Sequence, residues 1–212
     1  FDESSSYFTD SNKVFGAIHD SSHKIISSWS DTNTSTGWTC DLGCGRGFHR
    51  KFYEGNPSHL IGVDFRLESL RAYRRKELEP VLIQADLTRL PFKDATISSI
   101  ISVYSLEHVY HLSDAVSEMA RVAQSRNRHY IGLPCEGGMA WSLGRKVTSE
   151  RTMSKRYDLD YSKYIRLEHC NDAIRVLQVL ATKFNIDQRH LFPLFFLPFI
   201  SINLTLTVSL KK

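Results

Sequence analysis

The chain has few cysteines and none of the paired Cys-x-x-Cys spacings that mark many zinc and redox sites. Its four cysteines are scattered over 212 residues: Cys40, Cys44, Cys135 and Cys170. Two of them, Cys40 and Cys135, stand in apolar stretches that read as strands. We therefore expect reduced thiols in a cytoplasmic protein, with neither a disulfide framework nor a metal site.

Strong charge bias, internal repeats and low-complexity tracts are also absent. The 27 basic and 23 acidic side chains give a formal charge of +4, which neither demands nor excludes an anionic partner. With 42% hydrophobic and 24% charged residues, the composition suits one globular domain that buries an α/β core. No basic segment followed by an apolar stretch opens the sequence, so we expect no signal peptide.

The longest run without charge, residues 191–210, would be long enough to span a bilayer. Pro193 and Pro198 interrupt it, and apolar residues alternate with polar ones over residues 202–209. This pattern predicts a closing pair of strands rather than a transmembrane helix, and we do not expect integral membrane insertion. Peripheral contact of the Phe195-Phe196-Leu197 tip with a membrane stays open.

Glycine recurs at every second position in the sequence Asp41-Leu42-Gly43-Cys44-Gly45-Arg46-Gly47, directly after an apolar run. Such a stretch lets the backbone turn sharply and approach a ligand closely, and a following helix would point its N–H groups at that ligand. A dinucleotide fingerprint would require a small residue where Phe48 stands. The spacing therefore indicates a nucleotide-type cofactor but does not fit a dinucleotide.

Three further motifs follow, each at the end of a predicted strand. Gly62-Val63-Asp64 places a carboxylate where an acceptor for two ribose hydroxyls belongs. A third strand ends at Asp86 and is followed by Leu90-Pro91-Phe92. A fourth, β-branched strand over 96–103 leads into Leu106-Glu107-His108-Val109.

In this order the four motifs resemble those of class I S-adenosylmethionine-dependent methyltransferases, in particular the methyltransferase type 11-like group, which includes many small-molecule enzymes. The resemblance covers residues 37–135 well and the remainder loosely. It implies an α/β fold with a doubly wound, Rossmann-like sheet of seven strands, only the last of them antiparallel. It also implies a cytoplasmic enzyme that converts S-adenosyl-L-methionine to S-adenosyl-L-homocysteine. Residues 124–128 depart from the pattern, since they replace the Pro-Gly-Gly turn common in the family.

The resemblance also implies a cofactor site. The loop holds the methionine end, Asp64 takes the ribose, and Asp86 meets the adenine edge. Phe65 either packs on the adenine face or belongs to the core, and both aspartates have a helix-capping role as the alternative. The complete set is Asp41, Gly43, Cys44, Gly45, Gly47, Asp64, Phe65, Asp86, Leu87 and Tyr104.

The chain divides into four segments of one domain. Residues 1–36 are a leader with a helix from about 11 to 29, which is either a lid on the cofactor or an exposed segment. Residues 37–135 form the cofactor-binding core, with helices near 48–54, 67–78 and 112–122. Residues 136–168 are a substrate-side insertion before the last helix. Residues 169–212 carry a helix over 171–184 and two strands, near 186–190 and 202–209.

Methyl transfer from a sulfonium requires no metal and no covalent nucleophile. The protein must hold the nucleophile against the methyl carbon and remove a proton from a protonated acceptor. His108, after the fourth strand, and His169, after the insertion, are the candidate bases; each has a structural role as its alternative. The candidate substrate contacts are Glu136, which otherwise closes a turn, and Arg145 and Tyr161, whose chemistry suits an anionic or aromatic small molecule.

Two other functions stay open. An RNA methyltransferase is favoured by the basic insertion at 136–168 and by four basic residues on one predicted helix, Arg71, Arg74, Arg75 and Lys76. However, Ser102-Val103-Tyr104-Ser105 stands where amino-methylating nucleic-acid enzymes carry an Asn/Asp-Pro-Pro-Tyr/Phe box, so a nucleic-acid partner is not the favoured one. A cofactor-binding module without catalysis is the third possibility. The favoured function is methyl transfer to a small molecule whose identity the sequence does not give.

Overall fold

The computed structural model describes residues 13–30, 37–136, 138–139 and 169–212. They form a seven-stranded sheet with helices on both faces. Its strands are β1 (Thr39–Leu42), β2 (Leu60–Asp64), β3 (Val81–Gln84), β4 (Ser99–Val103), β5 (Arg128–Pro134), β6 (Asn185–Phe192) and β7 (Thr205–Lys211). The α-helices are α1 (Lys13–Trp29), α2 (Leu67–Arg74), α3 (Leu112–Val122) and α4 (Ala173–Leu180).

The strand order is β3-β2-β1-β4-β5-β7-β6. Strands β1 to β5 pair in parallel, whereas β7 runs antiparallel to both of its neighbours, β5 and β6. The predicted fold and the single antiparallel strand are therefore confirmed. Because parallel strands end at one edge of the sheet, the segments that follow β1, β2, β4 and β5 meet there.

Both faces of the sheet are buried, which explains the continuous apolar runs of the central strands. Ile100 packs into the cluster beneath α3 and α4, while its neighbour Ile101 packs on the opposite face against Ile26 of α1. The buried residues of α3 recur with helical spacing and pack against the same face as Ile100: Leu112, Ala115, Val116 and Met119. This arrangement fixes the strands whose ends carry the polar motifs.

Several predicted boundaries differ from the structure. The helix expected over 48–54 is a 3₁₀ turn at Phe48–Phe52, since Gly47 before it is left-handed and the chain is already extended at Tyr53. Helix α2 ends at Arg74 rather than 78, and the Arg74 guanidinium donates to the Pro80 carbonyl at 2.8 Å.

The last helix and last strand are also shorter at their beginnings than predicted. Asp172 caps α4 by accepting from the Arg175 N–H, so the helix begins at Ala173. A 3₁₀ turn at Ile200–Ile202 delays β7 to Thr205. The closing strand pair itself is confirmed, and no helix among the described residues is long and apolar enough to cross a bilayer.

Helix α1 packs on the sheet, so its interpretation as an exposed leader is wrong for residues 16–30. Ser22, His23 and Ile26 are buried, and Ser21 Oγ lies 2.7 Å from Thr205 Oγ1 on β7. Its role as a lid stays a prediction. Most of the predicted insertion, including Arg145 and Tyr161, lies outside the described residues. All four cysteines have free thiols.

Candidate active site

The glycine loop leaves β1 and docks on the end of β2. The N–H groups of Gly43 and Cys44 both donate to the Val63 carbonyl, at 2.8 and 3.0 Å. The φ angles of Gly43, Gly45 and Gly47 are 72°, 53° and 75°, a left-handed conformation that side chains disfavour. Glycine thus alternates in the sequence because each of these three positions needs a left-handed backbone.

The three glycines differ in what surrounds them. A Cβ on Gly43 would lie 1.9 Å from Ser105 Oγ, and one on Gly47 would lie 2.2 Å from the Tyr73 ring. A Cβ on Gly45 would have nothing within 4 Å. Gly45 therefore faces open space, while Gly43 and Gly47 allow the close packing that holds the loop.

Cys44 directs its side chain away from this open space. Its thiol is 6% exposed and packs with Leu70 and Tyr73 in a small apolar cluster. Burial raises the pKa of this thiol well above its ordinary value. The predicted contribution of Cys44 to cofactor binding is thus confined to its backbone.

Asp64 ties the loop to the end of β2. Its Oδ2 accepts from the Gly45 N–H at 2.8 Å, and its Oδ1 accepts from the Arg66 N–H at 2.8 Å. Each carboxylate oxygen has a second lone-pair direction, so these bonds leave acceptor capacity for two ribose hydroxyls. The carboxylate is 6% exposed, which makes any hydrogen bond to it strong.

Asp41 lies buried at 3% exposure beneath the loop. Burial raises the pKa of its carboxyl to about 7, and the negative charge of Asp64 adds to the increase. A ligand with a positive charge would stabilise the ionised form of Asp41. S-adenosylmethionine carries such charges on its sulfonium and its ammonium.

The residues expected near the adenine lie further along the same edge. Phe65 is 71% exposed, so its alternative role as a core residue is wrong. Asp86 Oδ1 accepts from both the N–H and the hydroxyl of Thr88 at 2.9 Å and so closes a turn; no helix begins there, so the helix-capping alternative is wrong for Asp86. Leu87 is 9% exposed. Contact of these residues with adenine stays a prediction.

Tyr104 follows β4 in a conformation that few side chains adopt. Its φ is 54°, and its hydroxyl lies 3.1 Å from Ser22 Oγ and 3.2 Å from the Ile18 carbonyl of α1. Burial raises the pKa of this phenol to about 12. Backbone strain of this kind is concentrated at binding sites, and here it turns Ser105 towards Gly43.

A group of histidines between α1 and the 3₁₀ turn at 48–52 was not predicted. His23 Nδ1 lies 2.9 Å from His49 Nδ1, so one ring donates and the other accepts, and the two cannot both be protonated there. His19 packs edge-on against Phe48 with ring centroids 4.1 Å apart. Burial lowers the pKa of His19 and of His49 to about 4. The spacing of His19 and His23, one helical turn apart, is the signal that sequence reasoning could have used.

The structure brings three predicted acceptor-side residues together. His169 Nδ1 lies 2.6 Å from Glu136 Oε2, and both side chains are 11% exposed. The rings of His108 and His169 meet edge to face with centroids 4.4 Å apart. Asn171 fixes this arrangement, since its Nδ2 donates to the carbonyls of Leu106 and Val109.

Glu107 is a buried acid beside this cluster and is 2% exposed. Burial raises the pKa of its carboxyl to about 8, with a further increase from Glu136 and an opposing effect from His169. Within the described part of the chain its Oε2 has no hydrogen-bond partner. Sequence reasoning treated Glu107 as part of a motif and missed its burial beside two residues of the site.

Residues 40–131 match the model of the family described as "Methyltransferase domain". The demethylmenaquinone methyltransferase of Streptomyces avermitilis is 31% identical over 45% of this chain and 41% of its own length. The phosphatidylethanolamine N-methyltransferase of Cereibacter sphaeroides is 30% identical over 52% of this chain and 56% of its own length. The chain therefore spans about half or less of these relatives.

Among solved structures, magnesium protoporphyrin IX methyltransferase from Synechocystis with bound S-adenosylhomocysteine has a TM-score of 0.66. The match covers 95% of this chain and 88% of that chain at 16% identity, so it shows the shared fold. The strand order, the left-handed glycine loop and Asp64 define a Rossmann-like cofactor-binding protein. Residues 40–131 are thus similar to a methyltransferase domain, and the fold of the described residues is shared with a solved methyltransferase that binds S-adenosylhomocysteine.

Proposed function

We propose that this chain transfers the methyl group of S-adenosylmethionine to a small-molecule acceptor bound beside the ends of β4 and β5. The observation that carries the proposal is the meeting of His169, Glu136 and His108. These residues come from three separate segments and adjoin the turn that packs on Gly43. The cofactor takes the loop and Asp64, and the acceptor takes the space in front of His169.

The reaction is an in-line displacement at the methyl carbon. A bond forms between the acceptor heteroatom and the methyl carbon while the bond from carbon to the sulfonium sulfur breaks, leaving a neutral thioether. The acceptor proton goes to Nε2 of His169, because the Glu136 carboxylate favours the tautomer with a proton on Nδ1. Glu136 then stabilises the imidazolium. His108 packs on the His169 ring and limits its orientation.

The acceptor is a hydroxyl or amine compound, since both groups release a proton on methylation. The two curated relatives are named for demethylmenaquinone, a quinone, and for phosphatidylethanolamine, an amine lipid, so the acceptor panel includes compounds of both kinds. The contacts expected from Arg145 and Tyr161 with an anionic or aromatic group remain part of this proposal.

The test measures release of S-adenosylhomocysteine from S-adenosylmethionine with a panel of quinols, phenols and aminoalcohol lipids. We expect turnover with at least one class, its loss in His169→Gln, and its retention in the control His59→Gln. The His59 ring lies 5.4 Å from the Trp38 ring at the opposite edge of the sheet, so the control changes a histidine outside the site. Cofactor binding without turnover of any acceptor would instead favour a non-catalytic binding module.

The RNA alternative gains no support from the described residues. Arg74, one of the four basic residues on which it rested, uses its guanidinium to hold the carbonyls that follow α2. Salt-sensitive binding of RNA by the chain, with methyl transfer to it, would revive this alternative.

A further inference from the structure

The loop between β6 and β7 presents three phenylalanines to solvent. We name residues 193–204 the phenylalanine tip. Phe195, Phe196 and Phe199 are 70%, 66% and 59% exposed. The first two rings pack edge to face with centroids 5.6 Å apart. No charged residue occurs over residues 191–210, so the projecting surface carries no side-chain charge.

The tip is a built structure rather than a loose loop. Asn203, which is 0% exposed, accepts from the Leu194 N–H at 2.7 Å through its Oδ1. Its Nδ2 donates to the carbonyls of Leu197 and Phe199, at 3.3 and 3.0 Å. One buried amide thus satisfies the backbone across the loop and holds the phenylalanines outward.

The tip lies at the same edge of the sheet as the proposed acceptor site. The Cys135 N–H donates to the Leu204 carbonyl at 2.9 Å. A Cβ on Gly138 would lie 2.9 Å from Ser201 Cα. Glu136 stands between these two contacts along the chain, so the base of the tip touches the segment that holds His169.

The area of the exposed apolar surface indicates which kind of partner it fits. At these exposed fractions, three phenylalanines present roughly 300–500 Å², whereas a stable protein interface buries about 800 Å² on each partner. A small, convex, uncharged projection instead suits the boundary between headgroups and acyl chains.

We propose that the phenylalanine tip docks this protein on a lipid bilayer. The acceptor site then faces the membrane surface, and the acceptor is a molecule carried in the bilayer. The docking stands by itself, whereas the nature of the acceptor rests on the proposed methyl transfer.

The experiment is co-sedimentation of the full chain with vesicles of phosphatidylcholine mixed with phosphatidylglycerol, without cofactor. We expect the wild type to bind and the triple variant Phe195→Ser, Phe196→Ser, Phe199→Ser to bind at least about tenfold more weakly, because most of the inserted apolar area is gone. The control is Leu78→Ser, which changes an 80% exposed residue beside β3 at the opposite edge of the sheet. It should bind like the wild type.

A tryptophan probe tests insertion directly. Brominated acyl chains should quench the added fluorescence of Phe196→Trp over that of the wild type. Equal vesicle binding by the wild type and the triple variant, or no binding by either, would overturn the proposal. Self-association of the wild type that the triple variant abolishes, without vesicle binding, would assign the tip to a protein contact instead. Because no cofactor is present, failure of docking is distinct from failure of methyl transfer.

Discussion

The proposed cofactor side and the proposed acceptor side of the site are built in different ways. The cofactor side consists mainly of backbone from one continuous loop, residues 43–47, fixed to the next strand by Asp64. The acceptor side consists of side chains from three separate segments, His108, Glu136 and His169. Proteins that bind the same cofactor can use one backbone shape for it, whereas each acceptor needs its own set of side chains. The two sides should therefore respond differently to substitution.

The largest expected effect is the loss of cofactor binding in Asp64→Ala. The variant loses acceptors for two ribose hydroxyls, worth roughly 2 kcal/mol each, so affinity for S-adenosylmethionine should fall about 1,000-fold. The affinity of Asp64→Asn, which keeps one acceptor oxygen, should lie between those of the wild type and of Asp64→Ala. Calorimetric titration gives the dissociation constants, and the exposed Asp114→Ala serves as the control. Unchanged affinity in folded Asp64→Ala would remove Asp64 from the cofactor side.

On the acceptor side, His169→Gln should lower kcat about 100-fold and change cofactor affinity less than twofold. Glu136→Gln should lower kcat less, because Glu136 acts through His169. Steady-state rates at saturating acceptor measure both effects. A parallel loss of cofactor affinity in His169→Gln would mean that the two sides are not separable.

Stability should distinguish the glycines of the loop from one another. Gly43→Ala adds both a left-handed Cβ and a clash with Ser105 Oγ, whereas Gly45→Ala adds only the first. We expect a cost of about 1 kcal/mol for Gly45→Ala and at least about 3 kcal/mol for Gly43→Ala. Thermal melts should show melting temperatures lower by roughly 3 °C and 10 °C respectively. Equal losses would mean that Ser105 moves aside without cost.

The histidines between α1 and the 3₁₀ turn at 48–52 should make the free energy of unfolding fall in acid. His19 and His49 have a pKa near 4 in the folded chain and 6.5 as the ordinary value, so the unfolded chain binds more protons between these limits. Their stabilising effect is complete above pH 6.5 and is lost as the pH falls towards 4, by about 3 kcal/mol for each ring and about 6 kcal/mol for the two together. Urea unfolding at several pH values measures this slope. His49→Gln should reduce the change of the free energy of unfolding with pH. An unchanged slope in this variant would contradict the assignment of the slope to His19 and His49.

The smallest effect is proton release at Asp41. Its pKa of about 7 in the free protein should fall when a cationic cofactor binds, so binding at pH 6.5 should release a fraction of a proton. Calorimetry in two buffers of different ionisation enthalpy detects it. Asp41→Asn should release none, and proton uptake by the wild type would show that the cation lies elsewhere.

The contrast between the sides also explains what the sequence could predict. The positions of the strands and of the glycine loop were predictable because apolar runs that end in acids, and alternating glycines, are local signals, whereas the doubly wound sheet followed from the family resemblance. The sequence did not decide whether Phe65 belongs to the core or packs on the adenine, because its exposure is known only from the structure. The loop at 48–52 was predicted as a helix because its left-handed entry at Gly47 is a backbone property with no periodic signal.

The residues of the acceptor side could be predicted from the sequence, but the contacts between them could not. His108 and His169 are 61 positions apart in the sequence, and their contact depends on Asn171 bridging to the carbonyls of 106 and 109. The pair of His23 and His49 and the burial of Glu107 arise in the same way, from packing between distant elements.

The most direct test of this account is a crystal structure with bound S-adenosylhomocysteine. We predict that the ribose hydroxyls bond to Asp64 and that the sulfur faces the 104–108 turn, within about 8 Å of the His169 imidazole. That distance leaves room for one methyl group and one acceptor atom in line. A sulfur directed away from His169, or a ribose bound apart from Asp64, would contradict the division into a cofactor side and an acceptor side.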